Sequence, residues 1–344
     1  MFPHAVEQYY SIGLYPAIGT SLRMITRWTS FSLGDIFYCL LGVILLFRLI
    51  RLGVRVYRRE MVGEDWVLIV FSIARTVLSF YIIFQLFWGL NYDRLGIAKQ
   101  LNIQRDNYSK EEVTELANLL IDKLNATRAV LKDSSLPEPP LDSIYREAHI
   151  SYQNISLQYE YLNYRNRSVK RSLFSALGDY MGYTGYYNPF SGEAQVRTDL
   201  PRILMPYISC HEMAHQLGYA SESEASFVGY LAAAASKDPY FQYSVYLDLF
   251  SYAQSAQLML YGKEKDFKAF EHIILQNRQR LDTLVKKDRK EIREFFNQRR
   301  KKSAPAFTSL YDQFLKFNNQ LRGVESYDEI IGWLIAYQKK YGKI

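Results

Sequence analysis

The sequence predicts a mainly α-helical protein with a small β element, in which two N-terminal transmembrane helices precede a folded domain outside the cytoplasm. Three observations carry this prediction. Two apolar runs, residues 33–50 and 66–90, are each long enough to cross a hydrocarbon core about 30 Å thick. Most of the chain after Tyr92 repeats apolar residues at helical spacing. One stretch, residues 180–196, instead crowds Gly, Tyr, Asn and Pro ahead of a short alternating segment.

The membrane region is assigned to residues 1–92. Its apolar runs are flanked by Trp66, Trp88 and Tyr92, the aromatic residues that favour the membrane–water boundary. Asp35 and Arg48 lie near the ends of the first run, where a polar group can reach the interface. Arg75 is internal to the second, and is expected to pair with Asp35 or to line a polar contact between the helices. Between the runs stand Arg51, Arg55, Arg58 and Arg59, and the bias of positive loops toward the cytoplasm places residues 93–344 on the opposite side. The first residues lack the basic region and apolar core of a cleavable signal peptide, so anchoring is expected. At 344 residues and 49% hydrophobic, the chain supports one sizeable domain beside the spans.

The net charge of +7 points to anionic lipid or envelope polymer, because a domain outside the cytoplasm does not ordinarily meet nucleic acid. Only two cysteines occur, Cys39 in an apolar run and Cys210 far from it, and no disulfide is implied.

Within residues 93–344, Ser109-Lys110-Glu111-Glu112 has the form of a capping box, opening a helix to about Lys132. Pro137, Pro139 and Pro140 then mark a loop, and residues 141–160 read as a second helix. Asn188-Pro189-Phe190-Ser191-Gly192 is a turn ahead of an alternating strand, Glu193 to Arg197. Residues 225–236 and the stretch opening at Pro239 are helical. Residues 278–302 form a charged helix with one buried stripe, and Ser326-Tyr327-Asp328-Glu329 opens a last helix through Tyr341.

The chemistry concentrates at His211-Glu212-Met213-Ala214-His215, an HExxH motif. Histidines at i and i+4 project from one helix face, so both imidazoles can hold one Zn²⁺, with the intervening glutamate placed to act on water. Pro206 suits the first turn of such a helix, and Gly218, three residues past His215, suits a left-handed terminus. That is the layout of a zinc peptidase.

A catalytic zinc needs a third protein ligand and an open position. Ser221 stands where the metzincin pattern HExxHxxGxxH has its third histidine, which excludes that arrangement. Glu222 and Glu224 follow. Two residues apart on a helix, they point about 200° apart, so at most one faces the metal. The face of Glu222 continues through the small residues Ala225, Gly229 and Ala232 or Ala233, letting a second helix approach closely, whereas that of Glu224 continues through Phe227, Val228 and Leu231, a core stripe. Glu222 is the expected ligand and Glu224 the alternative; whichever does not bind metal is a possible acceptor for a ligand histidine's free ring N–H.

The run Gly182-Tyr183-Thr184-Gly185-Tyr186-Tyr187-Asn188-Pro189-Phe190-Ser191-Gly192-Glu193-Ala194-Gln195-Val196, followed by Cys210-His211-Glu212-Met213-Ala214-His215-Gln216-Leu217-Gly218-Tyr219, resembles the bacterial membrane family catalogued as domain-of-unknown-function family 3810. The likeness extends to Gly34-Asp35 and Trp88-Gly89-Leu90-Asn91-Tyr92. It implies a zincin-like protein of the bacterial inner membrane without an established substrate, and an additional hydrophobic segment ahead of Glu7-Gln8-Tyr9-Tyr10. The Glu222-x-x-Ala225 spacing is also similar to zinc peptidases whose third ligand opens a Glu-x-x-Ala-Asp run; here Ser226 replaces the Asp and a possible orienting carboxylate is lost. In zincin folds a strand just before the metal helix lies along the cleft and pairs with extended substrate, a place that resembles that of Glu193 to Arg197.

These readings give a membrane-anchored zinc peptidase acting on a peptide or protein substrate, such as a cell-envelope one. His211, His215 and Glu222 bind the metal, Glu212 is the general base, and Tyr243 and Tyr246 are candidate hydrogen-bond donors to the oxyanion. A zincin-fold membrane scaffold or sensor without catalysis is the competing class. An intramembrane protease is disfavoured, because Arg197, Asp199 and Arg202 on one side and Glu222 and Glu224 on the other leave too short an apolar run around His211.

Overall fold

The computed structural model describes residues 2–104, 107–132, 135–299 and 327–344. A π-helical stretch, Val6–Leu14, leads into α1 (Tyr15–Thr26). Two long helices follow, α2 (Leu33–Tyr57) and α3 (Gly63–Phe87), each about 37 Å from end to end. Both are long and apolar enough to cross a membrane, and hardly any of either is covered by the rest of the protein.

α2 runs past the expected boundary at residue 50, because Arg51 and Arg55 continue a good helical sequence after the apolar run ends. α3 stops before Leu90, and Gly89–Asp93 forms a 3-10 turn. Arg75 is exposed mid-helix and does not pair with Asp35. Asp35 is buried at the start of α2, where its carboxylate accepts hydrogen bonds from Leu173 N (2.8 Å) and Tyr186 Oη (2.7 Å). Across the connector, Arg55 in the last turn of α2 pairs with Asp65 in the first turn of α3 at 2.9 Å.

The rest is mainly helical, with α4 (Lys110–Val130), α5 (Leu141–Ser156), α6 (Met205–Gln216), α7 (Glu222–Ala234), α8 (Pro239–Lys263), α9 (Phe267–Arg280), α10 (Thr283–Arg299) and α11 (Tyr327–Tyr341). The capping box of α4 forms as its sequence requires, with Ser109 and Glu112 each accepting from the other's backbone amide. The charged stretch 278–302 divides at Leu281 and Asp282 into α9 and α10; Val285 and Asp288 form its buried face, and residues 300–302 lie outside the described residues, as does Ser326.

Three short strands form one sheet in the order β1 (Val169–Arg171), β3 (Glu193–Val196), β2 (Gly185–Asn188). β3 pairs parallel with β1 and antiparallel with β2. The strand expected to pair with substrate is therefore occupied on both sides, and β2 holds a free edge. A strand with neighbours in both directions has no backbone donors left for a ligand.

One core joins these pieces, built on α4, α5, α6, α7, α8 and α11. The α6–α7 contact is close because Gly229 lacks a side chain: a Cβ there would lie 3.0 Å from both Cα and N of His211. Elsewhere in the core, buried Arg128 donates to Asp288 Oδ2 (2.7 Å), which also accepts from Tyr243 Oη (2.8 Å), tying α4, α8 and α10 together.

Arg128→Met, which leaves Asp288 buried without its cation, should cost about 3–5 kcal/mol of stability, whereas Tyr243→Phe should cost about 1 kcal/mol. Thermal unfolding in detergent measures both. Gly229→Val should force α7 off α6 and destabilise by about 1–3 kcal/mol; unchanged melting would show that the two helices separate freely.

Candidate metal centre

α6 begins with Pro206 in its first turn, where a missing N–H costs nothing, and ends where Gly218 takes φ +87°. The turn that ends the helix also orients its last histidine. His215 Nδ1 lies 2.7 Å from the carbonyl oxygen of Tyr219, and because a carbonyl only accepts, this nitrogen donates and Nε2 of the neutral ring keeps its lone pair. One turn earlier, His211 Nδ1 lies 3.2 Å from Ser226 Oγ on α7. Ser226, one turn into α7, thus meets the histidine from the facing helix.

α7 starts at Glu222, and its carboxylate reaches both imidazoles. Oε2 lies 3.2 Å from His211 Nε2 and 3.7 Å from His215 Nε2, and one donor atom from each residue falls within a 4.8 Å cluster. Ligands at about 2.0–2.1 Å around a tetrahedral ion are about 3.3–3.4 Å apart, so the spacings suit a small divalent cation. Burial raises the carboxyl of Glu222, but hydrogen bonds from the two histidines outweigh it and hold the group well below the usual carboxylate range. Burial lowers His211. It also acts to lower His215, but the Glu222 carboxylate reverses the balance and brings that ring up to about 9.

Glu212 lies between the histidines and is almost wholly buried. Burial pushes its carboxyl up to about 8, opposed by His215 and assisted by Glu222. Among the described residues its Oε2 has no hydrogen-bond partner, an unusual state for a buried carboxylate oxygen. β2 passes directly over it: a Cβ on Gly185 would fall 2.5 Å from Glu212 Oε1, so only glycine admits this approach.

Three sequence-based assignments change. Glu224 points away from the cluster; its Oε1 accepts from Ile97 N (2.9 Å), and burial raises its carboxyl to about 7. It receives no histidine N–H, since those nitrogens are engaged by Tyr219 and Ser226. Tyr243 is committed to Asp288 of α10. Tyr246 is a buried core residue of α8, and burial pushes its phenol up. Ser221 stands at the N-cap position of α7, where its hydroxyl shares a 2.9 Å hydrogen bond with that of Ser223 and makes no cap bond to the backbone.

Sequence reasoning missed the aromatic wall beside His215. Trp88, at the end of α3, donates its indole N–H to the His215 carbonyl (3.3 Å), and its ring centroid lies 6.0 Å from the imidazole. Tyr92 and Tyr187 pack on Trp88 at 5.1 and 5.2 Å. Burial raises the Tyr92 phenol, and the nearby Glu222 charge raises it further. The signal was present in Trp88-Gly89-Leu90-Asn91-Tyr92 and Gly185-Tyr186-Tyr187, whose spacing alone implied no common site.

The helix end is held from the membrane side as well. Tyr15 Oη and Arg23 Nη1 donate to the Gln216 carbonyl at 3.1 and 2.7 Å, and Arg94 Nη1 donates to that of Gly218 at 3.0 Å. Residues before 92 are therefore part of the site's framework, and the boundary expected there does not separate it from the membrane region.

Comparison with curated proteins and with solved structures gives no match. The family model described as a protein of unknown function (DUF3810) matches residues 10–335, a span that includes α2, α3, the strand pair β2–β3 and the whole metal-type cluster. With nearly its entire length matched, the chain belongs to that family.

Proposed function

We propose that the protein is a membrane-anchored, zinc-dependent metallopeptidase with a zincin-like site outside the cytoplasm. The observation that carries the reading is the convergence of His211 Nε2, His215 Nε2 and Glu222 Oε2, with both Nδ1 atoms engaged by partners. Beside them lies an unpartnered oxygen of buried Glu212. A closed structural zinc site has no use for such an oxygen, whereas a hydrolytic site needs one facing water. The two-imidazole, one-carboxylate donor set fits Zn²⁺.

Bound by these three residues, Zn²⁺ would supply Lewis acidity to water and to the peptide carbonyl. Glu212 takes a proton from the attacking water as the new C–O bond forms, then delivers it to the departing nitrogen as the C–N bond breaks. His215 is fixed in tautomer and orientation by Tyr219, and His211 by Ser226. Trp88, Tyr92 and Tyr187 screen one side of the site from bulk water. The direction of the chain agrees with an external site, since the folded domain joins the ends of α2 and α3 opposite to the connector carrying Arg51, Arg55, Arg58 and Arg59.

Metal analysis of the full-length protein in detergent tests the ligand set. Wild type, Glu212→Gln and Glu224→Ala should retain about one zinc ion per chain, and His211→Ala, His215→Ala and Glu222→Ala should lose it. Full occupancy in His211→Ala and Glu222→Ala would refute the site. In a degenerate peptide library, Glu212→Gln should lower cleavage on the order of 10²–10⁴-fold with the metal retained.

Tyr92 takes the place of Tyr243 and Tyr246 as the phenol to test for oxyanion stabilisation. Tyr92→Phe should lower kcat about 10-fold or more at unchanged zinc content, and Tyr243→Phe should leave kcat unaltered.

A further inference from the structure

The metal-type cluster is fastened to the outer ends of both apolar helices. Trp88, which touches His215, closes α3 directly. On the other side, the β2–β3 strand pair has one end against Glu212 and the other against the membrane helices. Gly185 lies over Glu212, while three residues along the strand Asn188 begins the turn that carries Phe190. The Phe190 ring packs between Phe37 of α2 and Phe80 of α3, with centroids at 5.8 and 6.0 Å. Glu193, first residue of β3, caps α2: its carboxylate accepts from Leu33 N (3.1 Å), Gly34 N (2.6 Å) and Ser32 Oγ (3.2 Å).

These contacts set a height. Three residues of strand span about 10 Å, so the end of β2 that covers Glu212 lies within about that distance of the turn seated between the two helices. From Phe84 to Trp88 is one helical turn, about 6 Å. A second feature lies at the start of α2. The segment before β2 is tied to the first turn of α2 through Leu173 N and Asp35, and it exposes Leu173, Leu177, Tyr180 and Met181. Four exposed apolar side chains beside the outer end of a membrane helix match a segment that beds into the headgroup region.

We infer that the substrate is a polypeptide anchored in the same bilayer, cut on the outer side within a few residues of its membrane-embedded segment. This rests on the peptidase reading above and specifies its substrate class. A chain leaving the membrane covers about 3.3–3.6 Å per extended residue, so a peptide bond within about three residues of the spanning segment can reach a site that lies within about 10 Å of the turn. The aromatic wall of Trp88, Tyr92 and Tyr187 lines this approach, and rings of that kind suit a chain that is half in lipid and half in water. Confinement of enzyme and substrate to one bilayer also raises their effective concentration without further contacts.

The test uses the full-length protein, loaded with zinc, in lipid vesicles. A degenerate peptide is supplied free, fused directly to a transmembrane segment, or fused through a flexible spacer of about 30 residues. Direct fusions should be cut within about five residues of the membrane segment, and on the order of a hundredfold faster than free peptide at equal bulk concentration. In the spaced fusions the cuts should stay near the membrane and fall in the spacer. Free peptide cut as fast as anchored peptide, or cuts that follow the degenerate segment to the end of the spacer, would overturn the membrane-anchored class and leave the peptidase reading intact. Absence of Glu212-dependent cleavage from all three pools would overturn both.

Discussion

The structure depends on how the C-terminal end of one buried helix is satisfied. A helix leaves its last carbonyls without intrahelical donors and gathers partial negative charge there. In α6 that end lies inside the protein, where each unmet carbonyl would carry a desolvation cost of about 1–3 kcal/mol. Trp88 serves the carbonyl of His215, Tyr15 and Arg23 that of Gln216, and Arg94 that of Gly218. Two of the four donors are cations, which suits the sign of the helix end. All four come from the first hundred residues, so the membrane region and the metal-type cluster form one construction.

The same region shows how a small site recruits distant sequence. Arg94 also pairs with Glu7 at 3.0 Å, linking the N-terminal π-helical stretch to the segment that follows α3. Glu224, excluded from the cluster, instead accepts from Ile97 N and anchors the start of α7 to that segment. The neighbouring carboxylates Glu222 and Glu224 therefore divide two tasks, one facing the histidines and one holding the helix that presents it.

The parts of this arrangement that the sequence made legible are local. His211 and His215 share a face because four residues make about one turn, and Gly218 ends the helix because its backbone is left-handed. The small residue at Gly229 correctly implied a close helix neighbour. The choice of Glu222 over Glu224 followed from helix geometry of the same range. What could not be read were pairings between residues far apart in the chain, such as Trp88 with His215 or Tyr15 with Gln216, because hydrogen bonds to backbone carbonyls impose no periodic pattern. Tyr243 illustrates the converse error: a phenol on the second helix after the motif helix is committed to Asp288 of α10. The sheet was misjudged in a similar way, since strand order is a tertiary property and alternation in residues 193–197 did not reveal that β3 is central.

The donors at the end of α6 also bear on biogenesis. Tyr15, Arg23 and Trp88 leave the ribosome long before His211 and Glu222. The helix that carries both histidines therefore finds its terminal donors already synthesised, and its end closes on a surface built by the first hundred residues.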